Sequence, residues 1–175
     1  YIDRDINYEN GLFISRQDIQ EVEGSWDLIM FHHSFEHMKD PLKVLQSVSK
    51  LLNSGGSCLI RIPLVSSLAW EDYGVHWVQL DAPRHFFLHS LDSLKTLVKK
   101  EKFHIEDIVF DSDEFQFWGS EQYKKDISLK SEKSYSVNPA YSIFSQKQID
   151  QFRQKAVQLN LEARGDQAVF YIKKD

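Results

Sequence analysis

The chain has 175 residues, 42% of them apolar and 27% charged, which is enough apolar material for one packed core. Its 21 basic residues against 26 acidic residues give a net charge of −5 without a basic block, and this argues against a nucleic acid or an anionic membrane surface as the partner. The longest apolar runs are far shorter than a membrane span, and the single cysteine, Cys58, allows neither an internal disulfide nor a cysteine-based zinc site. We therefore expect a cytoplasmic protein that binds small molecules or other proteins.

The first predicted elements form a strand, a helix and a second strand. Residues 26–31 are a short apolar run of the kind found in buried strands. Asp40 and Pro41 supply a helix cap and a first-turn proline, and apolar residues recur at helical spacing over residues 41–52. A double glycine then ends the helix, and residues 57–64 are a second apolar strand. This order predicts two parallel strands with a right-handed crossover, covered on both faces.

The rest of the chain contains further elements separated by two irregular segments. A long packed loop is predicted over residues 65–89, and an aromatic-rich excursion is predicted over residues 111–144. A further strand is placed either at residues 12–14 or nearer residues 2–6. The remaining predicted elements are a helix that begins after Ser90, a strand over residues 105–110, a helix that begins near Ser145 and a closing strand over residues 168–172.

Histidines are concentrated where a ligand site is expected. In an open parallel sheet, ligands bind beyond the carboxyl ends of the strands, because helix N-termini and loop amides converge there. A histidine can also simply hydrogen-bond a half-buried loop together, so each single residue has a structural alternative. Six of the seven histidines lie in the two segments that follow the first two strands. One of them, His89, ends the second segment, and the five that precede it are His32, His33, His37, His76 and His85.

The string from His33 to His37 matches H-x-x-E-H, the signature of inverzincin metallopeptidases. That chemistry needs both histidines on one face of a helix, where they can share a zinc ion. Here the string directly follows a strand and ends before the helix cap at Asp40. The sequence therefore predicts no metal site, and a zinc metallopeptidase is the least favoured alternative.

Taken in order, several short motifs resemble a class I S-adenosylmethionine-dependent methyltransferase. The resemblance covers about residues 12–110. The last motif is similar to the P-R-H segment of a subgroup that methylates small molecules. In chain order, the motifs are W-D-L-I at 26–29, E-H at 36–37, D-P at 40–41, L-L-N-S-G-G at 51–56, L-I-R-I-P at 59–63 and P-R-H at 83–85.

The resemblance implies an α/β, Rossmann-like class I methyltransferase sheet that is mostly parallel, with strand order 3-2-1-4-5-7-6 and an antiparallel strand seven. The four strands predicted above would be strands four, five, six and seven. The first strands, the glycine-rich loop after strand one and the acidic residue after strand two are absent from the sequence. We therefore expect residues 1–175 to be a single domain that forms the C-terminal part of a longer enzyme.

The resemblance also implies S-adenosylmethionine as the cofactor and suggests which residues bind it. Asp18 would accept a hydrogen bond from the adenine amino group, and the backbone amide of Ile19 would meet the ring. A simple turn-forming role is the alternative for Asp18. Phe31, His32 and His33, at the end of strand four, would line the methionine and sulfonium side.

On the acceptor side, an imidazole that removes a proton is the expected catalytic group. Arg84 would bind a carboxylate or phosphate of the substrate, or else form a structural salt bridge. Trp77 and Trp118 would line the acceptor pocket, with a core position as the alternative. The candidate bases are His33, His37 and His85.

Together these expectations describe an enzyme that transfers a methyl group to a small-molecule acceptor, with a sugar or glycan precursor among the candidates. The excursion at residues 111–144 would cap the acceptor. The alternative is a non-catalytic remnant or interaction module that keeps the methyltransferase scaffold.

Overall fold

The computed structural model describes residues 4–174. Its strands are β1 (Ile6–Asn7), β2 (Phe13–Ile14), β3 (Trp26–His32), β4 (Leu52–Pro63), β5 (Phe103–Phe110) and β6 (Gln167–Lys174). Its α-helices are α1 (Pro41–Leu51), α2 (Leu68–Tyr73), α3 (Leu91–Lys100), α4 (Phe115–Tyr123) and α5 (Gln146–Leu161). Within this part of the chain, no helix combines the length and the apolar character needed to cross a membrane.

Four strands form the main sheet, in the spatial order β3-β4-β6-β5. Strands β3 and β4 are parallel, and β6 runs antiparallel to both β4 and β5. This is the order four, five, seven, six that the sequence resemblance predicts, with the antiparallel strand in the expected place. The Rossmann-like α/β fold class is therefore confirmed.

The strand predicted near the N-terminus does not join the main sheet. Strands β1 and β2 form a separate antiparallel hairpin, in which Ile6 pairs with Ile14 and Asn7 with Phe13. The position at residues 12–14 is therefore a strand, but a strand of a different sheet. The alternative position at residues 2–6 lies in part outside the described residues.

The hydrophobic core lies between one face of the sheet and the helices α1 and α3. Leu45 of α1 and Leu94 of α3 are completely buried against Ile60 of β4. Both helices begin where the sequence predicts. The Asp40 side chain accepts a hydrogen bond from the Lys43 amide at 3.1 Å, and Ser90 caps α3 in the same way.

The opposite face of the sheet is open at β3, which corrects the prediction that both faces are covered. Leu28 and Met30 are 50% and 62% exposed, whereas Phe31 is buried in the core. Side chains alternate between the two faces of a strand, and no side chain of the described residues covers the outer set. Strand β3 is also an edge strand of this sheet.

The start of β4 and the content of the two irregular segments differ from the prediction. Helix α1 ends at Leu51, and β4 begins at once with Leu52, which pairs with Trp26. An irregularity in the pairing accommodates the double glycine, so the strand starts five residues earlier than predicted. The segment predicted as a long loop contains α2, whose first turn is capped by the Ser67 hydroxyl. The aromatic-rich excursion contains α4.

The long loop packs tightly against the excursion. At Gly119 of α4, an added Cβ would lie 2.7 Å from a methyl carbon of Val78, so only glycine allows this approach. The Trp77 indole donates a hydrogen bond to the buried Asp166 carboxylate at 3.0 Å. These contacts fix the position of the segment that carries the P-R-H motif.

Candidate functional site

The candidate site lies at the carboxyl ends of β3 and β4, where His32 and Arg61 are paired in register. Arg61 Nη1 lies 3.2 Å from His32 Nε2 and 2.7 Å from His33 Nε2. A guanidinium only donates, so each imidazole must accept through Nε2. Arg61 also donates from Nε to Asp111 at 2.6 Å, so its position is fixed from both sides.

The H-x-x-E-H string does not form one helix. His33 has a positive φ of 47° and precedes a short 3-10 turn at Phe35–His37. Its Nε2 is held by Arg61, so it does not share a ligand position with His37. The arrangement that the metallopeptidase chemistry requires is therefore not formed, and that alternative is set aside.

The E-H and P-R-H motifs are in direct contact. The backbone oxygen of Glu36 accepts hydrogen bonds from the amides of Phe86 at 2.9 Å and Phe87 at 3.3 Å. Phe35, the preceding residue, is completely buried and packs edge to face on Phe31. Two motifs almost fifty residues apart in the chain thus form one structural unit.

His37 and His85 make the same kind of hydrogen bond and lie next to each other. His37 Nδ1 lies 2.9 Å from the Arg84 carbonyl oxygen, and His85 Nδ1 lies 2.9 Å from the Gln79 carbonyl oxygen. A carbonyl only accepts, so both neutral rings carry the proton on Nδ1 and keep a lone pair on Nε2. The ring centres are 4.8 Å apart.

Glu36 is the buried carboxyl group of the site. Its side chain is 1% exposed, and Oε1 lies 3.5 Å from His33 Nδ1 and 3.9 Å from His85 Nε2. Among the described residues, neither carboxylate oxygen has a hydrogen-bond partner. A buried carboxylate without partners is costly, so this residue requires a functional or structural explanation.

Burial also affects the titration of two histidines near Glu36, His85 and His89. It lowers the pKa of His85 below the ordinary value, although Glu36 and Asp81 act in the opposite direction. The pKa of His89 is lowered for the same reason. Both rings therefore favour the neutral form, in which one nitrogen keeps a lone pair.

Arg84 forms the salt bridge that was the alternative to substrate binding. Its Nε donates to Asp81 Oδ1 at 3.1 Å, its Nη2 contacts the second carboxylate oxygen, and these bonds raise the pKa of Arg84. The arginine side chain is 73% exposed. It can therefore still meet a ligand, but the structure already gives it a local partner.

The two predicted adenine-binding residues lie in a short capped turn at Ile19–Glu21. The Asp18 carboxylate accepts from the Gln20 amide at 3.0 Å, and the Asp18 amide donates to Glu21 at 3.1 Å. The turn-forming role is therefore present. Ile19 lines an open groove of about 650 Å³, which Met38 lines from the end of the E-H turn.

Three predicted site residues have their side chains inside the protein. Phe31 is 5% exposed and faces the core, because it alternates with His32 on the strand. Trp77 is completely buried, and its only polar group binds Asp166. Trp118 is 8% exposed and packs against Phe115 and Tyr135. We therefore leave these three side chains out of the candidate site.

Two residues of the site were missed by sequence analysis. Arg61 interrupts an otherwise apolar strand, and a charge at such a position was the available signal. Glu36 was noticed only as part of the metallopeptidase string and of the E-H motif, because its burial depends on the contact between two distant loops.

The strand order, the antiparallel β6 and a polar cluster beyond the ends of β3 and β4 define a protein with the Rossmann-like methyltransferase fold. Residues 4–107 match the family described as "Methyltransferase domain". Because the match covers more than half of the chain, the chain belongs to this methyltransferase family. No curated protein sequence matches it significantly.

Solved structures agree in fold at low sequence identity. A SAM-dependent methyltransferase from Thermotoga maritima has a TM-score of 0.54 and 12% identity, covering 95% of this chain and 66% of its own. One from Archaeoglobus fulgidus has a TM-score of 0.50 and 17% identity, with coverages of 93% and 66%. The mitomycin 7-O-methyltransferase MmcR has a TM-score of 0.52 and 10% identity, with coverages of 93% and 34%. The present chain thus spans less than two thirds of the length of each.

Proposed function

We propose that this chain forms the acceptor side of an S-adenosylmethionine-dependent methyltransferase that acts on a small molecule, with a sugar or glycan precursor among the candidates. The observation that carries the proposal is the contact between the E-H and P-R-H motifs, through the Glu36 oxygen and the Phe86 amide at 2.9 Å. It collects His37 and His85 at the sheet edge where ligands bind in open α/β folds. The single cysteine further supports a cytoplasmic location.

The groove beside the Ile19–Glu21 turn supports a cofactor site. It offers about 650 Å³ between that turn and Met38. Ile19 lines this groove and, with its neighbour Asp18, would hold the adenine ring, whereas His32, at the end of β3, would face the methionine side. When bound, S-adenosylmethionine supplies an electrophilic methyl group on its sulfonium.

We further propose that residues outside the present sequence supply the glycine-rich loop and the ribose-binding carboxylate. The open edge and the exposed outer face of β3 support this, because Leu28 and Met30 form an apolar surface of the kind that other elements normally cover. The excursion at residues 111–144 would close the acceptor site, since α4 packs on the loop that carries the P-R-H motif.

The histidine cluster would remove the proton of the acceptor hydroxyl or amine. His37 fits best, because the Arg84 carbonyl fixes its ring and leaves the Nε2 lone pair available. His85 has the same tautomer and lies beside it. His33 is less suited, because Arg61 donates to its Nε2. Arg84, beside the cluster and exposed, remains the candidate for an acidic group of the acceptor.

One observation favours the alternative of a non-catalytic scaffold. The Asp18 carboxylate already caps the turn that would hold the adenine, so this turn is stable without a ligand. A scaffold would neither bind S-adenosylmethionine nor consume it, and this separates the two functions.

A histidine substitution in the protein expressed with its upstream residues tests the proposal. We expect His37→Ala to lower turnover about 10²–10⁴-fold, the usual contribution of general acid–base catalysis, with S-adenosylmethionine affinity and thermal midpoint little changed. His76→Ala is the matched control, because His76 is an exposed histidine of the neighbouring loop. Parallel losses of turnover, affinity and midpoint in His37→Ala would instead indicate a structural residue.

A further inference from the structure

Glu36, His37 and His85 each offer one potential ligand atom in the same small region. The three atoms lie within 4.8 Å of one another. We propose that these residues bind one divalent transition-metal cation of the zinc class at the carboxyl end of β3. The set differs from the H-x-x-E-H pattern, because Glu36 is a ligand and His85 replaces His33.

The two imidazoles make the hydrogen bonds that are typical of metal-binding histidines. A metal-binding histidine typically donates its second ring N–H to a carboxylate or a backbone carbonyl, which fixes the tautomer and the ring. His37 does so to the Arg84 carbonyl and His85 to the Gln79 carbonyl, both at 2.9 Å. Both Nε2 lone pairs are therefore presented before any ligand arrives.

The buried carboxylate of Glu36 independently favours a cation at this position. This carboxylate is almost completely buried, and neither of its oxygens accepts a hydrogen bond from the described residues. Near it, His85 Nε2 lies 3.9 Å from Glu36 Oε1 and 3.7 Å from Asp81 Oδ2, an oxygen already held by Arg84. On the side of His85, acceptor atoms thus face one another, whereas His33 Nδ1 is the N–H on the other side of Glu36, at 3.5 Å from Oε1. A cation would satisfy them together.

The donor set and the spacing fit such an ion. Two histidine nitrogens and one carboxylate oxygen form a known zinc set that leaves one coordination position open. With ligand bonds of about 2.0–2.2 Å, tetrahedral ligands lie about 3.3–3.6 Å apart, so the present atoms must approach by about an ångström. Small shifts of the His37 and His85 side chains, each held by one hydrogen bond to a backbone carbonyl, would provide this movement.

The open position gives the ion a role in the reaction. A bound cation lowers the pKa of a coordinated hydroxyl or water, so the acceptor could lose its proton to solvent or a neighbouring base while its oxygen is held by the ion. With the ion bound, His37 and His85 would act as its ligands rather than as free bases. This role rests on the proposed function, whereas metal binding itself does not.

The test is metal binding by the full chain, without any turnover. Chelator-treated protein is titrated with zinc chloride by calorimetry, and its thermal midpoint is measured with and without zinc. We expect one site of about micromolar affinity or tighter and a midpoint that rises with zinc. Glu36→Gln and His85→Ala should each weaken binding at least about tenfold, whereas His33→Ala and the exposed His76→Ala should stay within about twofold of the parent protein.

Each contrary result has a definite meaning. The absence of a saturable site, or zinc binding that Glu36→Gln leaves intact, would overturn the inference. Loss in His33→Ala with retention in His85→Ala would overturn it in favour of the sequence string. If Glu36→Gln lowers the thermal midpoint of the metal-free protein, the variant is destabilised, and the zinc affinity of His37→Gln is compared with that of the parent protein instead. Zinc binding without methyl transfer would remove only the proposed function, and methyl transfer insensitive to chelator and to Glu36→Gln would remove only the role of the ion in the reaction.

Discussion

Glu36 joins the two loops of the candidate site through its backbone, while its carboxylate lies between the histidines of both loops. The sequence could predict that histidines gather beyond β3 and β4, because strand ends converge there. It could not predict which ring nitrogen carries a proton. That depends on the Arg84 and Gln79 carbonyls, whose positions follow from the folded loop.

The buried Asp166 gives a prediction about pH. Burial raises its pKa from 3.8 to about 6, although the Trp77 indole and Ser112 stabilise the charged form. The folded state therefore holds this proton more tightly than the unfolded state, and the resulting stability is present below about pH 4 and lost as the pH rises to about 6. Relative to Asp166→Asn, the parent protein should lose up to about 3 kcal/mol of unfolding free energy over this range.

Denaturant titrations of both proteins at several pH values measure this difference. Because Asp166→Asn keeps an acceptor for the Trp77 indole but does not titrate, the difference between the two isolates the Asp166 proton. A difference that does not change between about pH 4 and pH 7 would contradict the raised pKa.

At the scale of elements, capping residues and apolar periodicity predict the helices α1, α3 and α5 with starts that the structure confirms. The start of β4 was wrong because the double glycine, which commonly ends a helix, here lies inside a strand irregularity. Helix α2 was missed because its six residues are too few to show a period.

The packing of α1 on the sheet gives a stability prediction. Leu45 and Ile60 are both completely buried in the same core, so Leu45→Ala and Ile60→Ala should each lower the free energy of unfolding by about 2–5 kcal/mol. Val157→Ala on α5 is the control, because that side chain is 60% exposed and the change should stay within about 0.5 kcal/mol. Urea unfolding followed by circular dichroism measures all three. Unchanged midpoints for both core variants would mean that the helix does not pack there.

At the scale of the whole molecule, the order of the four main strands was predictable because ordered motifs identify the family and the family has one sheet topology. The open face of β3 was not predictable from its apolar sequence, since that sequence looks the same whether or not another element covers it. The core position of Phe31 was missed, and that of Trp77 and Trp118 was left as an alternative, for a related reason: the sequence does not distinguish an aromatic side chain in a core from one in a pocket.

The central claim is that this chain belongs to a methyltransferase whose cofactor site is completed by residues outside the present sequence. Calorimetric titration of S-adenosylmethionine into the present chain and into the protein with its upstream residues tests it directly. We predict weak or no binding to the first and about micromolar binding to the second, which corresponds to roughly −8 kcal/mol. Micromolar binding to the present chain would contradict the claim that cofactor binding needs further residues. No binding to either protein would contradict the methyltransferase function.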